Sequence, residues 1–569
     1  MLFLPSFMFL SHLRRYKLEY LFYVFVIGFT CVLTYPAWLH PSYISYGAHH
    51  IDHIGTLYGF WWHQYSFQNN LSYENLMLAQ PFGWDEGFIM SLPVWSFLIK
   101  FFSFFGNHIA TYNILLFLSF PLTFFTSFLF LNYCVKEKLS SYMGAFIFTF
   151  CPYHVSRSLI HFSLAHIEGL PLAFLSLFLL SDRPSFKRAL LCAFSFLFVL
   201  FSDYYYGFFV GIFALLFFVL RLLSFRISWP ELKAYGVSMA VFLLLFCLAL
   251  QDAITTLLFK APNSESLQAG LFKPDFQDLF RFSAKPLGYL LPVADNPFFG
   301  HISRFFSGSS FFGYSEVNYL EHTIFIGFTT ILLSFLGLKL FKKENKYLFW
   351  ISIILGFSFL IFSFSPYWEF EAFKIYFPSY FLYKLIPTFR SYGRMSVLFL
   401  LVLVIFSSFG FKRLIMNRSL AGKALLSILV IFFITIEFIT VPPFHGLNFK
   451  QSPQVYTWVK EQKGDFIIAE YPLDTGQIDW WRTYFQSVHH KKLLNGCREA
   501  DKSCKMISRL KDLESPDVPS YLKYLGIKYI LYHSKKPLRA IKGLNLIRSF
   551  DNPSVWVYEI KAPSKEIRI

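Results

Sequence analysis

Charge is scarce in this sequence. Only 15% of its 569 residues are Asp, Glu, Lys or Arg, and the long apolar runs hold no lysine or arginine. With 55% hydrophobic residues, so little charge excludes an ordinary soluble globule. Acids in the runs are confined to their ends, as with Asp252 and Glu437. Ion-coupled pumps need ionisable groups inside the membrane, so this scarcity argues against a pump, though not against a flippase. There is also no P-loop, GxSxG elbow, HExxH or Rossmann glycine pattern. A cytoplasmic nucleotide-using domain, ATP-driven transport and an inside nucleotide-sugar site therefore have no support. A cleavable signal peptide is missing as well: the apolar stretch 2–10 is short, and Arg14, Arg15 and Lys17 precede a full-length run in the manner of a signal anchor. Of seven cysteines, five (Cys31, Cys134, Cys151, Cys192, Cys247) sit in or beside apolar runs as small packing residues. Cys497 and Cys504 lie in a polar region, where a local disulfide outside the cytoplasm and two free thiols are both open readings.

Apolar runs are what the chain has in quantity. They fall near 20–39, 110–134, 141–151, 167–181, 189–202, 205–220, 234–256, 321–338, 347–364, 395–411 and 424–441, most of them long enough to cross a hydrocarbon core of about 30 Å. A twelfth stretch, 90–105, contains Pro93 and Lys100 and suits an interfacial helix better than a span. With eleven crossings, nineteen basic residues fall in six short cytoplasmic segments (14–17, 136–138, 183–188, 221–233, 339–346, 412–423) and eleven in the much longer external loops. That asymmetry predicts a cytoplasmic N-terminus and an external C-terminus in the cytoplasmic membrane. It also accounts for the net charge of +17 without a nucleic-acid groove. The expected architecture is mainly α: a polytopic bundle of about 11 transmembrane helices over 1–442, with external loops at 40–109, 257–320 and 365–394, and an extracytoplasmic α/β domain over 443–569. In that domain 465–471, 528–532 and 554–560 read as strands and 453–463 as a helix.

Chemistry-bearing residues concentrate on the predicted outer side. His49-His50-Ile51-Asp52-His53 follows the first span. An acid there could act as general base toward a substrate whose head group sits at the membrane surface. The imidazoles could hydrogen-bond it, carry protons, or join it in a divalent metal site made of His49, His50 and Asp52. A solvated loop beside an aromatic belt, with Trp61 and Trp62, is the plainer reading. Asp85 and Glu86 stand between turn-forming residues as a second acid pair, or as a cap for a helix starting near Phe88. Around 152–168, Arg157 suits a phosphate. His161 and Glu168 would share a face if helical, whereas His166 and Glu168 would not; a polar re-entrant turn is the alternative. Glu321 and His322 open a span, where the carboxylate favours the helix dipole. Arg390 and Arg394, four apart, could clamp a lipid phosphate, or pair with headgroups or with Glu369 and Glu371.

These residues form an ordered set: Asp52 with Trp61-Trp62, Pro81-Phe82-Gly83-Trp84, Pro152-Tyr153-His154, Gly288-Tyr289-Leu290-Leu291-Pro292, Tyr319-Leu320-Glu321-His322 with Gly327, and Arg390-Ser391-Tyr392-Gly393-Arg394. Tyr484-Phe485-Gln486-Ser487-Val488-His489 and Asn495-Gly496 continue it. In this order the chain resembles bacterial membrane proteins of the GT-C glycosyltransferase superfamily, in particular the YfhO-like branch. The resemblance implies an acid of the first external loop as catalytic base, a sugar donor on a polyprenyl phosphate, and a glycan, lipid or protein acceptor outside the membrane. Asp52 matches the base position, and Asp85 or Glu86 the second acid many relatives have. Arg157, Arg390 and Arg394 would face the donor phosphate, with His53, His161, Glu321 and His322 in support. The imidazoles crowd Asp52 more than the family pattern does, which leaves open a metal or a different task for the acid. A lipid or polymer flippase, and a non-catalytic envelope-assembly protein working through its C-terminal domain, are the competing expectations.

Overall fold

The computed structural model describes residues 17–71, 75–83, 92–251, 275–307, 322–371, 373–440, 445–474, 478–497 and 502–566. The chain divides into two compact units. Unit 1 holds Met1–Leu39, Asn113–Leu248 and Pro274–Gly446, and unit 2 holds His40–Tyr112, Ala249–Lys273 and Leu447–Ile569.

Each of the eleven apolar runs contains a helix over part of its described length. In chain order they are α1 (Lys17–Leu33), α2 (His108–Val135), α3 (Lys138–Thr149), α4 (Gly169–Asp182), α5 (Phe186–Ser202), α6 (Tyr204–Leu223), α7 (Trp229–Ala249), α8 (Phe328–Glu344), α9 (Lys346–Ser363), α10 (Ser396–Ile415) and α11 (Leu420–Phe438). Among the described residues six helices, α2, α6, α7, α9, α10 with its preceding turn, and α11, are long and apolar enough to cross a membrane by length and composition. Polar residues in the connections start the helices. Glu137, Ser185, Asp203, Asn345 and Ser419 each accept a hydrogen bond from a first-turn N–H of α3, α5, α6, α9 and α11, satisfying donors that the helix itself cannot.

Phenylalanine fills much of the unit 1 core, with Phe174 stacked on Phe213 at 3.6 Å and Phe341 on Phe409 at 4.3 Å. Helices α8 and α10 meet backbone to backbone. A Cβ on Gly410 would stand 1.8 Å from the Leu333 carbonyl oxygen, and one on Gly337 2.2 Å from that of Phe406, the close approach that small residues permit between membrane helices. The start of α8 is held by an acid, as the sequence suggested, but from elsewhere. Glu437 of α11 accepts from the Thr329 N–H at 3.0 and 3.1 Å, while Glu321, expected in that role, lies outside the described residues.

In unit 2 the described part of the first external loop forms helices Ile51–Gln68 and Pro93–Phe102. The second has 10 residues, about 15 Å, and is too short to cross. The C-terminal part is a five-stranded sheet of β1 (Ile467–Tyr471), β2 (Lys492–Leu493), β3 (Ile527–His533), β4 (Leu544–Asp551) and β5 (Ser554–Ile560), in the order β2-β1-β3-β5-β4. β1 runs parallel to β2 and β3, and β5 antiparallel to β3 and β4. The predicted helix appears as Gln454–Glu461. Helices Lys502–Arg509 and Val518–Tyr524 supply Met506, Ile507 and Leu522 to the core beside Ile530. Cys497 and Cys504 form a disulfide.

The loop 40–109, expected as part of the membrane domain, belongs over its described residues to the same unit as this sheet. Leu493 N donates to Met77 O at 2.8 Å and Ala79 N to Asn495 O at 2.8 Å, continuing the edge beyond β2. Tyr58 donates to Gln486 at 2.6 Å, so the Gln486 carboxamide joins the two sequence segments across a buried contact.

Candidate functional site

The candidate base Asp52 lies in unit 2. His50 caps the helix that begins at Ile51, its Nδ1 accepting from the Asp52 N–H at 3.2 Å. Asp52 is therefore in the first turn, where a carboxylate is favoured by the helix dipole, and its Oδ2 lies 3.5 Å from His50 Nδ1 with the side chain 51% exposed. His53, one residue on, faces inward. Its Nε2 meets Ser45 Oγ at 2.8 Å and its Nδ1 the Ala48 carbonyl at 2.9 Å. Burial lowers its pKa to about 4, so the ring is neutral and ties the chain before the helix to the helix itself. Neighbouring residues thus divide the work: His53 anchors, and Asp52 is presented.

His49 stacks on Trp481 at 4.0 Å. Among the described residues no three His, Cys, Asp or Glu side chains come together to hold a metal ion. The grouping of His49, His50 and Asp52 expected as a possible divalent site is not formed, because one ring is stacked and another is spent on a helix cap. Trp61 and Trp62 are buried rather than belt residues. Asp85 and Glu86 lie outside the described residues.

The candidate phosphate-binding arginines lie in unit 1. Pro152 begins a helix that ends at Ile160, the residue before His161, and a four-residue helix Phe162–Ala165 follows. This break prevents His161 and Glu168 from sharing a helical face. Instead Glu168 accepts from, or is paired with, His166 at 2.9 Å, both side chains buried, a contact that spacing two on a helix would forbid. Arg157 is fully buried, with its guanidinium 5.0 Å from the Tyr153 ring. Tyr153 and Tyr206 share a hydrogen bond at 3.0 Å.

Asp203 is the residue that sequence reasoning missed. It caps α6 by accepting from Tyr205 N at 2.9 Å and Tyr206 N at 3.2 Å, and takes a further bond from Ser163 Oγ at 2.8 Å. Burial raises its carboxyl above the ordinary value, and the positive charge of Arg394 opposes the rise. The only sequence signal was a lone acid in the connection between two apolar runs.

Arg394 stands over the Tyr205 ring at 4.7 Å, and the Arg390 N–H donates to the Tyr205 hydroxyl at 3.4 Å. The two arginines are not a helical i,i+4 pair: Arg394 lies in the 3-10 turn Tyr392–Met395, and Arg390 precedes it. Arg390 pairs with Asp278 at 2.5 Å, and Glu369 with Lys374 at 2.8 Å. The expected Arg390–Glu369 partnership is replaced on both sides. Tyr205 is the common neighbour of both arginines and of Asp203. His322 is half-buried in the extended segment leading to α8.

A family described as Domain of unknown function (DUF6311) matches residues 23–437. The chain belongs to that family. No curated protein matches it by sequence. Among solved structures it is similar to the arabinofuranosyltransferase AftD from Mycobacteria, at 13% identity and a TM-score of 0.58, over 97% of this chain and 40% of the other. It is also similar to the Archaeoglobus fulgidus oligosaccharyltransferase tethered to an acceptor peptide, at 12% identity and a TM-score of 0.50, over 92% of this chain and 69% of that one. The chain thus spans well under half the length of the mycobacterial protein. At these identities the likeness is one of fold, and the architecture is the one expected from the sequence: a mainly helical chain with apolar helices long enough to cross a membrane and an α/β region.

Proposed function

We propose that this chain is a membrane glycosyltransferase of the YfhO-like GT-C branch, moving a sugar from a polyprenyl-phosphate-linked donor to an extracytoplasmic glycan, lipid or protein. The observation that carries the reading is the presentation of Asp52: a carboxylate held in the first turn of a helix, beside His50, and left half exposed. A general base needs that combination of fixed position and access. Asp52 takes the proton of the acceptor hydroxyl as it attacks the anomeric carbon. The bond from that carbon to the donor phosphate breaks, and the phosphate leaves with its electron pair. Arg394 and Arg157 answer the charge that develops on the phosphate, Arg390 helps position that region, and Asp203 and Tyr205 hold Arg394. A groove between helices holds the donor's isoprenoid tail. The reaction faces outward, in the cytoplasmic membrane, with the N-terminus inside and the C-terminal domain outside, as the distribution of basic residues supports.

The test is a glycan profile by mass spectrometry of a deletion strain rescued with wild type, Asp52→Asn or Arg394→Ala, with membrane levels of each protein checked. A hexose or pentose increment is expected to vanish on deletion, return with wild type, and stay reduced by about 10²–10⁴-fold with Asp52→Asn. Full rescue by Asp52→Asn would remove Asp52 from the chemistry, and an unchanged glycan profile on deletion would remove the transferase reading.

A further inference from the structure

Helices α4, α5 and α6 run between two polar regions of unit 1. Their ends at Gly169, Ser202 and Tyr204 adjoin the Asp203 and Glu168 region, and their other ends carry Asp182, Arg188 and Arg221. From Asp203 to Arg221 the helix rises about 27 Å. At the far end lies a cavity of about 430 Å³ lined by Lys136, Arg183, Arg188, Arg221, Asp182 and Tyr133, among others. That volume is in the range of small-molecule sites, about 300–1,000 Å³.

One of the lining charges is neutralised by an ion pair, and the lining acid keeps its charge. Arg221 makes a bidentate pair with Glu231, at 2.7 and 3.0 Å, and donates to Tyr347 at 3.0 Å. Asp182 accepts from Tyr133. Lys136, Arg183 and Arg188 make no ion pair among the described residues. Lys136, Arg183 and Arg188 outnumber the single carboxylate of Asp182 in this concave space, and the excess of positive charge attracts an anion. Arginine forks match phosphate oxygens.

We propose that this cavity binds a phosphate-bearing ligand, either the headgroup of an anionic phospholipid or a soluble pyrophosphate-type anion. It sits at the end of the bundle that the basic residues assign to the cytoplasm, opposite the proposed transfer chemistry, and the proposal is independent of that chemistry.

Full-length protein in detergent is titrated with inorganic pyrophosphate and followed by thermal shift. In parallel, protein reconstituted with phosphatidylglycerol or phosphatidylcholine is examined by native mass spectrometry for retained lipid. Wild type is expected to bind one of these anions saturably, and whichever arm responds identifies the source. Arg183→Gln with Arg188→Gln, and separately Lys136→Ala, should weaken that binding at least tenfold. Lys187→Gln with Arg418→Gln removes two charges outside the cavity and should leave it unchanged. The proposal fails if neither anion binds, if the cavity variants bind like wild type, or if the control pair weakens binding as much, because the effect would then be diffuse surface charge.

Discussion

Helix α6 holds a buried charge at each end, and the two ends differ in what surrounds that charge. At its N-terminus Asp203 caps the first turn, and at its C-terminus Arg221 closes the last. Each has the sign that the helix dipole favours, so burial of a charge does not by itself mark function. The environment separates the two. Around Asp203 the cations Arg157 and Arg394 lie against Tyr153 and Tyr205, where a planar guanidinium stacked on an aromatic ring is held in one orientation. Around Arg221 the paired charge is structural, and Lys136, Arg183 and Arg188 line the cavity beside it, Arg188 donating to the Arg183 carbonyl. One end is built for fixed geometry and the other for adaptable anion capture.

The sharpest way to break this comparison is at Glu231, which is 1% exposed. Glu231→Ala leaves Arg221 buried and unpaired and should cost about 3–5 kcal/mol, read as a fall in the thermal midpoint of the detergent-solubilised protein. A change as small as that of an exposed lysine would mean that Arg221 is solvated and belongs with the cavity cations.

A second, somewhat smaller effect comes from unit 2, where two buried imidazoles are held neutral. His53 and His63 are both lowered to about 4 by burial, whereas an unfolded imidazole titrates near 6.5. Between those values the unfolded chain binds more protons, so this stability is intact above pH 6.5 and is lost as pH falls toward 4. For His53 the loss is about 3 kcal/mol at pH 4. Thermal unfolding between pH 7.5 and 4.5 should show it, and His53→Gln should flatten the slope. An unaltered slope would place His53 in contact with water.

The smallest effect discriminates within the Asp203 end. Asp203→Ala loses the helix cap and should cost about 1 kcal/mol, while Asp203→Asn keeps the cap and removes only the charge facing Arg394. If both variants have equal thermal midpoints, the electrostatic contact with Arg394 outweighs the cap, and Asp203 acts chiefly to hold the arginine.

Much of the fold was readable. Apolar runs marked α1 to α11, and a capping side chain preceded five of them, because hydropathy and capping act over a few neighbouring residues. The strands at 465–471, 528–532 and 554–560 were readable for the same reason, while β4, mostly exposed and polar on its face, had no comparable pattern. The site was legible in residue types and less so in partners. Asp52, Arg157, Arg390 and Arg394 could be named, but Glu168 was assigned the wrong histidine because the helix break at His161 has no proline or glycine to announce it. Asp203 looked like an ordinary turn acid. Arg390 found Asp278, and α8 found Glu437, both more than a hundred residues away in sequence.

The sequence alone determined the membrane character, the helical segments and the motif order that resembles GT-C proteins. Tertiary structure decided which acid caps which helix, which imidazole is buried, that the described part of the loop 40–109 shares a unit with the C-terminal sheet, and which cations line one cavity. The division has a physical cause. Burial of apolar surface sums over a stretch of chain and can be read from composition, whereas an ion pair or a cap depends on the position of two atoms that only the folded chain brings within about 3 Å.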